Sequence, residues 1–264
     1  MQGKFFTVDV SPDIVAGDIS NVQGADKSDL DIASRDILFD WTAVDVPKGG
    51  CMLRSITAIA NAEDGVYAGG SLADLHLFFA RSVDGEAPTT MGATNAVQTA
   101  CFDLKDHYIG STVLEGTAGT GTMYGTTFHV AWMGNDNSAT GGGLPVVIDL
   151  DHLSGTNVGY DKLYVMCFQG AARHWGTGVI VNGAITSDTE DTITVDGVDA
   201  NKIFSKGDTV YLHDVDTALG TVKSIAADGL SITLNAAIAG GTDLADDDEL
   251  VNANPIKFRF GFER

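Results

Sequence analysis

Six histidines, at positions 76, 107, 129, 152, 174 and 213, are the side chains able to move a proton near neutral pH, and they are scattered. No two stand at the i, i+4 spacing that puts a pair of metal ligands on one helix face, and no His-Glu-x-x-His run occurs. His76 and His129 lie among apolar residues of strand-like segments, where a hydrogen-bonded histidine of the fold is favoured over a ligand. The densest acid–base grouping is Asp149, Asp151 and His152. Two carboxylates and an imidazole could activate water, yet solvated carboxylates at a strand end account for them as simply. A Gly-x-Ser-x-Gly elbow is absent, and no cysteine has a histidine beside it in sequence. The run from Gly116 to Gly121 lacks the strand–loop–helix setting of a phosphate cradle and reads as a flexible loop.

Oxygen donors are better clustered. Asp243, Asp246, Asp247 and Asp248, followed by Glu249, form a calcium candidate, because hard carboxylate oxygens are what calcium selects. Their spacing departs from an EF-hand, and a solvated acidic loop is the plainer alternative. No motif calls for a cofactor. Of the three tryptophans, Trp41 and Trp132 share the apolar phase of their segments and are expected in the core. Trp175 stands where two parts of the chain are expected to join and is expected to pack there.

Composition narrows the function classes. Acidic residues number 36 against 15 Lys and Arg, for a formal charge of −21. Such a chain repels nucleic acid, whose binding rests on Lys and Arg displacing counterions, and it is equally unsuited to anionic membrane surfaces. The charge is uneven: residues 178–254 hold 14 Asp or Glu against 3 Lys, so they carry −11 of the −21. Cys51, Cys101 and Cys167 are odd in number and flanked by apolar residues, which reads as buried thiols of a protein folded in a reducing cytosol. Phe5-Phe6-Thr7-Val8 is cut short by Asp9, too early for a signal-peptide core.

These groups must be positioned by strands. Period-two patterns recur at Asp36–Trp41, Leu75–Ala80, Phe128–Met133, Val146–Ile148 and Leu163–Phe168, and Met52–Ala60 reads as a strand covered on both faces. Gly-rich connections between them, from 32 glycines and 5 prolines, argue for an all-β fold whose main domain is a β-sandwich of jelly-roll type. The loop from Gly134 to Gly143 is a candidate contact surface. Residues 1–34 lack a sustained pattern and are expected to form an extended arm. From Gly178 the rhythm shortens: Val179–Val181, Thr192–Val195, Thr209–Leu212, Thr221–Ile225 and Ser231–Leu234 are five short strands, enough for a small closed barrel. Lys257–Glu263 then returns to strict alternation, with three phenylalanines on one face that need the larger core. The expected organisation is an arm at 1–34, a sandwich of 35–177 plus 252–264, and an inserted acidic barrel at 178–251.

Ile203–Leu212, Leu219–Ile225, Ser231–Leu234 and Asp246–Val251 together resemble the small β-barrel domains of tailed-bacteriophage virion proteins. Phe39–Ala43 with Val46–Gly50 is similar to virion proteins of marine tailed phages. The resemblance implies a non-enzymatic structural protein assembled in the host cytoplasm. In that role it binds the outside of the phage head as a capsid decoration or cement protein. Its partners would be the major capsid protein or other virion proteins, and it would form a symmetric homo-oligomer, a trimer being one such arrangement. The alternative is a tail or baseplate receptor-binding or carbohydrate-binding protein. Hydrolysis at Asp149, Asp151 and His152 is a third expectation.

Overall fold

The structure is a computed structural model that describes residues 4–14, 31–46, 50–61, 74–98, 104–114, 121–123, 126–132, 144–148, 162–175, 178–186, 190–213, 217–238 and 242–264. It is all-β, and its only helices among these residues are single turns. In chain order the first part holds β1 (Phe5–Val10), β2 (Asp31–Ile32), β3 (Ile37–Asp45), β4 (Cys51–Asn61), β5 (Leu75–Arg81), α1 (Leu104–His107), β6 (Tyr108–Leu114), β7 (Gly121–Met123), β8 (Thr126–Trp132), β9 (Val146–Ile148), β10 (Lys162–Gln169) and β11 (Arg173–His174). The second part holds β12 (Val179–Val181), β13 (Thr192–Asp196), α2 (Ala200–Ile203), β14 (Thr209–Leu212), β15 (Thr217–Ile225), β16 (Ser231–Leu234) and β17 (Glu249–Asn252). The chain then closes with β18 (Ile256–Glu263).

Two antiparallel sheets face each other. One runs β1-β18-β4-β8-β7, with β9 beside β4, and the other runs β3-β10-β5-β6. The pairings nest: β1 with β18, β3 with β10, β4 with β8 and β5 with β6. The first and last of these strands, β1 and β18, thus lie side by side.

Alternation in β18 explains the contact between the sheets. Ile256, Phe258, Phe260 and Phe262 are buried, while Lys257 and Arg259 are exposed. Phe258 meets Phe39 of the opposite sheet at 5.4 Å between ring centroids, and Phe260 meets Phe79 edge-on at 6.5 Å. Phe6 of β1 stacks on Phe262 at 5.1 Å. Leu53, Leu75, Leu77, Leu163 and Val165 fill the same core.

Three register shifts change the expected phases. A register shift where Phe262 and Gly261 meet Leu53 and Ser55 brings Leu53 and Ile56 onto the same buried side of β4, and Ile59 is only partly buried. Met52–Ala60 is therefore not covered on both faces as its sequence reads. Two further register shifts, one on each side of the Cys167–Phe39 pairing of β10 with β3, split the Ile37–Phe39–Trp41 face. Phe39 enters the inter-sheet core, whereas Ile37 and Trp41 join Met91 and Met166 on the outer side of the second sheet. Trp41 is thus half-buried outside the main core, its indole N–H donating to the Thr89 carbonyl at 3.2 Å. The segment between β5 and β6 covers this outer side, and Asp40 fastens it by accepting from Thr90 Oγ1 at 2.5 Å and from the Met91 N–H at 3.1 Å.

The expected arm is also corrected where it is described. Phe5–Val10 pairs along its whole length with β18, Ile14 is buried, and Asp31–Ile32 pairs with β11. Alternation is the reason: Phe6, Val8 and Val10 pack against the core from one face of the strand.

The barrel is closed, in the order β12-β13-β16-β15-β14-β17, and follows β11 in sequence. Val179, Val181, Ile193, Val195, Val210, Val222, Ile232, Leu234 and Leu250 form a core separate from that of the sheets. The sixth strand, β17, lies between β12 and β14 and completes the closure that five strands would leave open. Its acidic lead-in conceals it in the sequence.

Candidate functional site

The segment joining β17 to β18 is where barrel and sandwich are bound together. Asn252 is 2% exposed and donates through Nδ2 to the Ile203 carbonyl and to Asp208 Oδ2, both at 2.8 Å. Its Oδ1 accepts from the Asn254 N–H at 2.8 Å. Asn254 in turn accepts from the Thr209 N–H at 3.0 Å and donates to the Pro12 carbonyl at 3.1 Å. The Ala253 N–H donates to the Thr209 carbonyl, and the Ile14 N–H donates to the Ala253 carbonyl. Two asparagines, Asn252 buried and Asn254 half-buried, therefore tie three separate stretches of chain, and their amides are stable there because their polar atoms find partners.

A cleft of about 290 Å³ opens beside this network, with Ile59, Lys206, Asp208 and Lys257 among its lining residues. Asp208 also accepts from the Ser205 N–H at 2.7 Å. Burial raises its carboxyl above the usual aspartate range, against the opposing pull of the Ser205 and Asn252 hydrogen bonds and the Lys257 charge. Among the described residues neither histidine nor cysteine lines the cleft. The arrangement can hold a shape or a ligand, with Ser11 and Ser205 on its wall beside Lys206, Asp208 and Lys257.

Two other hollows lie on the sandwich. One, of about 390 Å³, sits on the outer side of the second sheet between Arg35, His76, Phe78, Gln98 and Phe168. Phe78 and Phe168 meet edge-on at 5.4 Å, and Arg35 has a left-handed backbone, φ 73°, a conformation costly for a residue with a side chain. The other, about 540 Å³ and more open, lies beside Cys51, Met52, Val147 and the Arg54–Glu263 ion pair. Desolvation raises the Cys51 thiol, partly offset by Arg264, and raises the fully buried Cys167 thiol well above its usual value. Both are free cysteines, as expected; Cys101 lies outside the described residues.

The acidic run does not come together as a ligand set. Asp246 Oδ1 accepts from the Gly183 N–H and Asp248 Oδ2 from the Ala245 N–H, each at 2.7 Å, while Asp247 takes a left-handed turn conformation, φ 71°. Asp246 and Asp248 thus tie down turn backbone at the entry to β17. Asp243 is exposed, and among the described residues no three His, Cys, Asp or Glu side chains are grouped to hold a metal ion. Asp149, Asp151 and His152 lie outside the described residues, as do the loop from Gly134 to Gly143 and the side chains of His129, Trp132 and His174.

Trp175 is buried in the sandwich core rather than between the two parts. The residues that do join them, Asp208, Asn252 and Asn254, were missed in the sequence. Their only signal was the turn composition of Asn252-Ala253-Asn254-Pro255. No helix among the described residues is long and apolar enough to cross a membrane. Comparison of the chain with protein-family models, with curated proteins and with solved structures gives no match.

Proposed function

We propose that the chain is a non-enzymatic structural protein of a phage virion, a capsid decoration or cement protein whose sandwich is a jelly roll. The observation that carries this reading is the nested strand order, β1-β18-β4-β8 facing β3-β10-β5-β6, which is what a long antiparallel hairpin produces when rolled into two Greek keys. Capsid and lectin domains are frequent users of that architecture. Placing an acidic barrel between the seventh and eighth strands of the roll leaves the sandwich free to contact the head and other copies. Adhesion is the mechanism: modest interfaces repeated by symmetry add through multivalency. Mass spectrometry of purified particles encoded by the same genome, with cryo-electron microscopy of their surface, tests it. Copies on the head exterior are expected; absence from the particle overturns the reading.

A second reading, a tail or baseplate receptor-binding or carbohydrate-binding protein, draws on the hollow walled by Phe78 and Phe168. Aromatic faces beside Arg35, His76 and Gln98 offer stacking and hydrogen bonding suited to a sugar. Glycan-array binding with and without a chelator separates this reading from the first.

A further inference from the structure

We propose that the free edge of β1 is a homodimerisation surface, where β1 of a second copy adds antiparallel about a two-fold axis at Thr7. The first sheet would then continue from one copy into the other. This inference does not depend on the virion reading.

The backbone provides the first argument. β1 ends its sheet, and its only strand partner among the described residues is β18. Lys4 and Arg264 exchange backbone hydrogen bonds, 3.2 Å from the Lys4 N–H and 3.0 Å from the Arg264 N–H. Antiparallel ladders alternate, so Phe6, Val8 and Val10 also turn their backbone groups toward β18. Phe5, Thr7 and Asp9 therefore direct their N–H and C=O groups at the open edge. Those groups form a template for another strand.

Among the described residues the edge is also unprotected. Exposed edges in soluble proteins are commonly blunted by lysine, proline, a bulge or shortness. The sequence Phe-Phe-Thr-Val-Asp-Val has neither lysine nor proline, spans six residues and runs without a register shift against β18. Its one charge, Asp9, is held by Arg259 in a two-pronged pair at 2.7 Å, which also lowers the carboxyl below its usual range. Phe5, two positions beyond Thr7 on the same face, is 73% exposed. In a chain of charge −21, this strand is a locally neutral surface on which a second acidic copy can settle.

The side chains identify the partner as the same strand. A two-fold axis at Thr7 sets Thr7 opposite Thr7, Phe5 opposite Asp9 and Phe6 opposite Val8. Inward residues stay opposite inward residues, as one continuous sheet requires. Thr–Thr and aromatic–β-branched pairs are favourable across strands, and no two carboxylates face each other. Phe5, Thr7 and Asp9 each exchange both backbone bonds with a counterpart. A contact of one short strand falls below the roughly 1,200 Å² of ordinary stable interfaces, so the association is concentration-dependent.

Sedimentation or light scattering over a concentration series of the full chain tests this, with a mass rising toward twice 27.6 kDa expected. Thr7→Pro removes an edge donor while leaving the β18 ladder intact, and should abolish the rise at an unchanged melting temperature. Thr7→Lys, which opposes two like charges at the axis, should do the same and serves if the proline variant misfolds. Thr7→Cys should cross-link to itself on oxidation, because directly opposed hydrogen-bonded residues lie about 5.5 Å apart at Cα, within disulfide reach. Asp9→Cys should not. A monomer at every concentration, an oligomer of any size unchanged by both Thr7→Pro and Thr7→Lys, or failure of Thr7→Cys to cross-link through position 7 overturns the proposal.

Discussion

The indole N–H of Trp175 donates to Oε1 of Gln169 at 2.7 Å inside the sandwich, where the two residues are 2% and 0% exposed. Gln169 Nε2 donates in turn to the Ala171 carbonyl at 2.7 Å. One amide thereby satisfies the tryptophan and the turn that carries the chain out of β10.

Gln169→Leu would leave the Trp175 N–H without its acceptor in a dry setting. The expected cost is about 1–3 kcal/mol, the usual penalty for an unsatisfied buried donor. Urea denaturation followed by tryptophan fluorescence measures it, and unchanged stability would mean that water reaches the indole.

Asp208 should make the protein less stable as pH rises from acid toward neutral. Its folded-state carboxyl is raised by burial, so the folded chain binds more protons than the unfolded chain between the unfolded value and the higher folded one. Its contribution is present below the unfolded value and is lost as pH rises through the folded one. The melting temperature of Asp208→Asn relative to the parent should rise as pH rises from the unfolded aspartate value through the higher folded one. A variant-minus-parent difference that falls over that range would contradict the assignment.

Asp9 has the opposite sign. Hydrogen bonding to Arg259 lowers its carboxyl, so its stabilisation is present above the unfolded value and lost as pH falls through the folded one. Comparing melting temperatures of Asp9→Asn and the parent between neutral and acid pH should show the gap between them closing on acidification.

Phe260→Ala should cost about 3–5 kcal/mol, since the ring is buried between Phe258 of its own strand and Phe79 of the opposite sheet. Guanidinium unfolding gives the value. A cost under about 1 kcal/mol would mean that the two sheets do not share this core.

Gly178→Ala should loosen the barrel at its entrance. A Cβ there would lie 2.5 Å from Glu249 Cγ and 2.7 Å from the Leu250 carbonyl oxygen. The carbonyl belongs to the β17 backbone and cannot swing away as a side chain tip can. Hydrogen exchange should quicken in β12 and β17 first; uniform change across the chain would place the damage elsewhere.

Strands whose alternation is unbroken were legible before the fold was seen. Phe258, Phe260 and Phe262 are buried as their spacing requires, and Val179, Ile193, Val210, Val222 and Ile232 enter the barrel core. Where an extra residue enters a ladder the pattern misleads, as at Trp41 and Ile56, because a bulge turns every later side chain to the other face. β17 escaped notice because Asp246, Asp247 and Asp248 precede it and dominate the composition of a four-residue strand. Nor does the composition of the acidic run reveal that Asp246 and Asp248 each turn one oxygen to a nearby backbone N–H group.

Sequence alone determined the all-β class, the buried thiols at Cys51 and Cys167, the presence of a small closed barrel and its excess negative charge. Each follows from composition or from a period that neighbouring residues share. Tertiary structure decided the rest. Asp9 meets Arg259 from 250 positions away, Phe5–Val10 becomes an edge strand through β18, and Asn252 and Asn254 lock barrel to sandwich. Pairings between distant segments depend on which edges the folded sheets leave open, and no local pattern records that.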